Sequence, residues 1–370
     1  MFQAKSPHRR ALLWALVPVA LLSYVVFLLY DAGLFKHISE VRFGVCLPQK
    51  VFGPEDLLLV PGINLVIVSS DPRNDIDQGG LYRYDLDSRT LNILTDQKNL
   101  GFDFHPHGID FLKNGNDIFI YAINHRSPIL TTVEIFKWQP TNHELSFEKT
   151  LKSPLLQSAN DLSLFAPESF FITSDFGTTN PLQKKFEQYT YSASGYLSFF
   201  KLGTEPLKLK ERLFFANGVA LSPDHSRLAV AAMLEKRIHI YRLPWRLPWQ
   251  LPPPLHEGDE RLTPENTSQA HNIELSGAPD NITIDPSGTR MLVAVHPNLL
   301  ALKSMSENRR SRAPSKIIEI ENWQQSSFTQ KVIYENKGDE IAAASVALEI
   351  DPSRILIGSV FDDHILDCRR

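Results

Sequence analysis

The chain has 370 residues, 43% hydrophobic and 22% charged, with a formal net charge of −4. The composition is that of a globular protein, and the mildly acidic balance excludes nucleic acid as a partner, because no basic track for phosphates is present. The length equals two average domains, but repeat folds use it as one unit with a large core, and one folded domain is expected.

Residues 11–30, ALLWALVPVALLSYVVFLLY, carry no charge, and this is the length a helix needs to cross a bilayer at roughly 1.5 Å per residue. Lys5, His8, Arg9 and Arg10 precede the run and Asp31 follows it. The positive-inside bias therefore places residues 1–10 in the cytosol and the remainder on the lumenal or extracellular side. The run is long for a signal core and lacks a small-x-small cleavage site, so a single-pass signal anchor is expected; cleavage would give a secreted protein instead. Residues 31–45 read as a linker and residues 46–370 as the folded domain.

Six times in that domain a short apolar strand runs into a turn, with a small polar or acidic residue just ahead of the strand. The segments are Glu55-Asp56-LLLVPG, His107-Gly108-IDFLKNG, Asn160-Asp161-LSLFAP, Asn217-Gly218-VALSPD, Asp280-Asn281-ITIDPSG and Ser345-VALEIDP. Their turn residues Pro61, Lys113, Pro167, Pro223, Pro286 and Pro352 are 52, 54, 56, 63 and 66 apart, the spacing of a radial repeat. After each turn comes a β-branched run: INLVIVSS, NDIFIYAINH, ESFFITSD, SRLAVAAM, TRMLVAVH and RILIGSV. Outer strands follow at GGLYRYDLD, TTVEIFKWQP, GYLSFFKLG, KRIHIYRL and SKIIEIENW. The expected fold is all-β, a six-bladed β-propeller, and outside residues 11–30 no helical periodicity exceeds two turns. The two cysteines, Cys46 and Cys368, bracket the domain. A closing blade built from both termini brings them together, and export lets them form a disulfide.

Three stretches stand outside the repeat. Asp71, Asp75 and Asp77 in SSDPRNDIDQGG read as a solvated turn. Residues 244–272, rich in proline with two tryptophans, read as an extended insertion without a ladder of its own. Ser304–Lys316, with Arg309, Arg310 and Arg312, reads as a solvated basic loop. Sequons begin at Asn266, expected to be glycosylated, and at Asn281, expected to be buried and bare.

In a propeller the first residue of each innermost strand lies at the mouth of the central channel, so the six segment heads converge there. Glu55, Asn160, Asn217, Asp280 and Asn281 then form a set of oxygen donors from four blades. Calcium takes six to eight such oxygens at roughly 2.3–2.6 Å, whereas zinc favours His and Cys. Taken singly, each residue serves equally well to satisfy a strand-end backbone group; their common register is what points to a metal. His107, in F-H-P-H-G-I, is the imidazole of the set, and His125 and His296 end the following strands of their blades. A histidine pair can activate water. No G-x-S-x-G elbow, H-E-x-x-H helix or nucleophilic cysteine offers another route to hydrolysis.

From about residue 46 to its end the chain resembles the paraoxonase/arylesterase family of calcium-dependent lactonases. The likeness is carried by Glu55-Asp56, Pro106-His107-Gly108-Ile109, Asn124-His125, Asn160-Asp161, Ala216-Asn217-Gly218, Asp280-Asn281-Ile282, His296-Pro297-Asn298 and the terminal cysteines. The resemblance implies two Ca2+ ions: a catalytic one held by Glu55, Asn160, Asn217, Asp280 and Asn281, and a structural one held by Asp56, Asp161 and the carbonyl of Ile109. It further implies that the first ion polarises the carbonyl of a lactone or aryl ester while His107, with His125 behind it, activates water. The chain departs from the family at Phe176, where better-known members carry a histidine, and in the shorter loop over residues 69–80. Gluconolactonase-like and strictosidine-synthase-like propellers share the architecture but match the paired acidic and amide steps less well. A non-enzymatic, calcium-stabilised ectodomain for binding or scaffolding is the alternative of a different class.

Overall fold

The structure, a computed structural model, describes residues 7–73, 79–95, 100–190, 192–244 and 262–370, with side chains from residue 16 onward. Six four-stranded antiparallel sheets make up six blades. Their innermost strands are Pro54–Val60, Pro106–Asn114, Ala159–Ala166, Ala216–Leu221, Ala278–Ile284 and Ala344–Asp351, and each begins at one of the six segment heads. Every blade-to-blade seam holds its own apolar cluster, so strands buried on both faces read as continuous apolar runs. At the seam between the first and second blades, for instance, Ile67 and Leu81 pack against Ile109, Ile120 and Phe136.

The ring closes as expected. Val45–Lys50 adds to His364–Arg369 as the outermost strand of the last blade, with Cys46 directly opposite Cys368. The two form a disulfide across a sequence separation of 322. Asp367 beside this seam accepts two bonds from buried Arg354, at 2.8 and 2.6 Å, and one from the Tyr84 hydroxyl at 2.9 Å.

Several expectations change. The last part of the proline-rich stretch, Ser268–Glu274, pairs with Arg237–Arg242 as the fourth strand of its blade, so that stretch does carry a ladder; residues 245–261 lie outside the described residues. The basic loop is partly helical: Leu299–Glu307 is capped by Asn298, whose side chain accepts from the Ala301 amide. Beyond the helix, Arg312 is tied to Asp362 at 3.0 and 2.8 Å. Pro181–Thr190 is a second helix past two turns, so the expected absence of helix was too strict. Asp71 is buried and paired with His105 at 3.3 Å, not solvated; Asp75 and Asp77 lie outside the described residues.

At the N-terminus, helix α1 spans Pro7–Asp31; the side chains of its first part lie outside the described residues. Among the described residues no helix is long and apolar enough to cross a membrane. Leu16, Val17, Val19, Leu21 and Leu22 are exposed. The C-terminal end of α1 is docked on the propeller. Lys236 pairs with Asp31, Tyr24 Oη donates to the Tyr189 carbonyl at 3.1 Å, and the Leu299 amide donates to the Ala32 carbonyl at 2.8 Å. The helices Pro181–Thr190 and Leu299–Glu307, here α2 and α3, flank that end.

Candidate active site

All six innermost strands lose register with their neighbours at the entrance. The breaks fall between Pro54 and Asp56, Pro106 and Ile109, Ala159 and Leu162, Ala216 and Val219, Pro279 and Ile282, and Ala344 and Val346. A bulge frees one or two residues from the ladder and re-aims their side chains. The freed residues are Glu55, His107-Gly108, Asn160-Asp161, Asn217-Gly218, Asp280-Asn281 and Ser345. Close packing explains the two glycines. A Cβ on Gly108 would lie 2.5 Å from Asp161 Oδ1, and one on Gly218 would lie 2.6 Å from the Asp280 carbonyl oxygen.

The deeper carboxylates tie the ring together. Asp56 accepts the Leu57 and Ile109 amides, each at 2.8 Å, and Asp161 accepts those of Leu162 at 2.8 Å and Val219 at 2.7 Å. Each thereby bridges two blades. Ser345 Oγ donates to the Glu55 carbonyl at 2.6 Å, and Asn281 Nδ2 donates to Glu55 Oε1 at 3.0 Å.

Nearer the mouth the bonding is incomplete. Glu55 Oε2, Asn160 Oδ1, Asn217 Oδ1 and Asn281 Oδ1 are all buried without a hydrogen-bond partner. Buried polar atoms are rarely left so, since each costs about 1–3 kcal/mol. Four buried acceptors left without a donor in hydrogen-bond geometry make an arrangement that a hard cation satisfies. Charge agrees. Burial, then the Asp280 charge, raises the Glu55 pKa despite the opposing Arg73 charge, and burial also raises Asp56 and Asp161, so these carboxylates are incompletely compensated. The residues therefore fit the calcium set that the sequence suggests. One compact Asp/His grouping elsewhere, Asp362-Asp363-His364, is already occupied by Arg312 and by the Ala342 amide.

Glu55, His107, Asn160, Asn217, Asp280 and His296 line the floor of a cavity of about 490 Å³. Its walls are mainly apolar and include Val25, Leu28 and Leu29 of α1 and Leu299 and Leu302 of α3. His296 Nε2 meets Asp280 Oδ2 at 2.7 Å and orients it. Phe176 packs its ring against Phe215, a wall residue, at 5.1 Å.

His107 and His125 meet edge to face with ring centroids 5.0 Å apart. Their hydrogen bonds lead elsewhere. His107 Nδ1 takes a bond from the Arg73 guanidinium at 2.9 Å, and its Nε2 lies 3.6 Å from Glu55 Oε1. His125 Nδ1 meets Thr131 Oγ1 at 3.1 Å, and His125 faces a separate polar cavity of about 510 Å³. Burial, then the Arg73 charge, holds His107 far below the ordinary imidazole range, and the same causes bring His125 down to about 4. Arg73 was missed in the sequence because it sits in a turn outside every repeat; the α1 contribution was missed because a segment read as a membrane anchor has no evident place at a propeller mouth.

The Arylesterase family model matches residues 54–369. Human serum paraoxonase/lactonase 3 is 30% identical over 321 residues, covering 84% of each chain, and human serum paraoxonase/arylesterase 2 is 29% identical over 287 residues, covering 76% of this chain and 75% of its own. Among solved structures, a luciferin-regenerating enzyme superposes with a TM-score of 0.53 at 12% identity, over 88% of this chain and 95% of the other. A gluconolactonase from Xanthomonas campestris gives 0.53 at 12% over 90% and 95%. Those two share the fold. With a match over nearly the whole propeller, the chain belongs to the arylesterase family, that of the paraoxonases.

Proposed function

We propose that this protein hydrolyses carboxylic esters, lactones among them, with a Ca2+ ion held by Glu55, Asn160, Asn217, Asp280 and Asn281. The observation that carries the reading is the group of four orphaned buried oxygens from four blades. The names of the relatives, lactonase and arylesterase, support the same reaction class. When bound, the ion supplies Lewis-acid polarisation of the substrate carbonyl and charge opposite the developing oxyanion. A second Ca2+, held by Asp56, Asp161 and the Ile109 carbonyl, serves the fold.

The chain's own residues do the rest. The apolar walls take the organic part of the substrate and exclude water. His296 fixes Asp280, and Asn281 fixes Glu55. His107, kept neutral by burial and by Arg73, is available to accept a proton, and it must do so at Nδ1 once Arg73 releases that atom or at Nε2 after tautomerisation. His125, at 5.0 Å between centroids, stands between His107 and the polar cavity and passes the proton outward.

We also read residues 11–30 as a membrane anchor with the propeller on the lumenal or extracellular side, which the disulfide supports. Asn266, exposed in its turn, is the glycan acceptor. The test is turnover of an aliphatic δ-lactone and of phenyl acetate by the full chain, with calcium and with excess chelator. Chelator-sensitive turnover that falls in Glu55→Gln and His107→Gln variants supports the reading. A folded, calcium-loaded protein inert on both esters would shift it to a binding ectodomain.

A further inference from the structure

We infer that Arg73 is a specificity-determining residue that binds a carboxylate on the substrate, so that the esters or lactones favoured by this site are anionic amphiphiles. The inference rests on the hydrolase reading for its reaction and on the cavity for its geometry.

Several buried or half-buried basic side chains of the propeller are matched with acids: Arg126 with Glu134, Lys316 with Glu335, Arg354 with Asp367 and Lys236 with Asp31. Arg73 is not. Among the described residues its guanidinium meets no carboxylate within 4.0 Å, although it lines the active-site cavity and is half-buried. Its side-chain contacts are His107 Nδ1 at 2.9 Å and the Phe361 ring at 5.6 Å to the centroid. A guanidinium has five N–H donors in a planar fork suited to a carboxylate, and a single imidazole nitrogen uses one of them.

A second cation reinforces it. Arg309 lies over the same Phe361 ring at 4.0 Å and donates to the Arg73 carbonyl at 3.4 Å. Lys303, also at the cavity, is already paired with Glu307 at 3.0 Å. Once Glu55 and Asp280 face a bound cation, the two arginines outnumber the one acid beside them, Asp71, whose carboxylate takes the Arg73 backbone amide at 3.1 Å and is already paired with His105. One imidazole ring separates the Arg73 guanidinium from Glu55. An acyl or aryl group of a few carbons therefore spans from the reacting carbonyl to Arg73, while the apolar walls take its body. Arg73 also borders the polar cavity, which gives a charged end access to water.

The test uses three esters with the full chain: phenyl pentanoate, phenyl hydrogen glutarate with its carboxylate on the acyl side, and 4-carboxyphenyl pentanoate with its carboxylate on the leaving group. The wild type is expected to favour at least one anionic ester in kcat/KM. Arg73→Met should reduce that preference about 10- to 100-fold, the range for a charge-assisted pair in a partly desolvated site, and Arg73→Lys should restore part of it. The ratio of anionic to neutral rates is the readout, so a general loss of activity through His107 does not mimic the result. A wild type that favours the neutral ester, or a ratio unmoved by Arg73→Met, overturns the inference. If no ester is turned over, protection against thermal unfolding by glutarate decides. Protection of the wild type but not of Arg73→Met keeps the anion site while the hydrolase reading fails; equal protection, or none, rejects both.

Discussion

Replacing Cys46 and Cys368 together by alanine isolates the covalent closure of the ring. The bond spans 322 residues. In the chain-entropy model a loop of that size removes roughly 6 kcal/mol of conformational freedom from the unfolded chain at 25 °C. The folded state changes little, because six residue pairs from Val45↔Arg369 to Lys50↔His364 still hold the strand. The expected loss is therefore about 4–6 kcal/mol, the lower end allowing for structure that persists in the denatured chain. Urea unfolding at saturating calcium, followed by tryptophan fluorescence, reads it as a lower midpoint. The slope should rise, since an uncrosslinked unfolded chain exposes more surface. A loss under about 1 kcal/mol with an unchanged slope would refute the argument, because closure would then not limit the unfolded ensemble.

Calcium removal should matter more as pH rises. In the cation-free fold the Glu55 pKa is raised from 4.5 to about 8, and that of Asp161 is raised to about 8 as well. A raised carboxyl pKa disfavours the folded state once the unfolded carboxyl ionises, so the penalty grows from pH 4.5 to about 8. The gap in melting temperature between calcium-loaded and chelated protein should widen across that window, and a constant gap would count against buried, uncompensated carboxylates. Asp367→Ala should destabilise by about 3–5 kcal/mol in the same unfolding assay, because it strands the Arg354 guanidinium, 7% exposed, without its partner. Gly108→Ala and Gly218→Ala should each lower calcium affinity measured by titration calorimetry, since the added methyl displaces Asp161 or the Asp280–Asn281 backbone. Wild-type affinity in both would show that the ring yields at no cost.

The blades were legible because each repeats one apolar strand and one turn, and turn spacing survives without any knowledge of packing. The donor set was legible for the same reason: Glu55, Asn160, Asn217 and Asp280 occupy one position of the repeat. What escaped was whatever the repeat does not encode. The bulges that turn Asn281 and Asp161 inward depend on contacts between neighbouring blades, and no local signal marks them. Ser268–Glu274 follows a proline-rich stretch and shows weak alternation, so its strand identity comes from its partner Arg237–Arg242. The α3 helix is short and owes its start to the Asn298 cap, visible only once the turn before it is placed. Arg73 gains its meaning from His107, 34 positions away.

Helix α1 gives the cavity Val25, Leu28 and Leu29, and Ala32 follows just past its end. The segment read from its composition as an address label thus also forms part of the wall of the candidate active site. If that segment is the anchor, substitutions that retune where the protein resides also alter the shape offered to substrates, and the two properties are coupled. A soluble form begun after residue 31 would keep the propeller and its donors but present them in an open dish, so its substrate range would describe a different enzyme from the one the full chain makes.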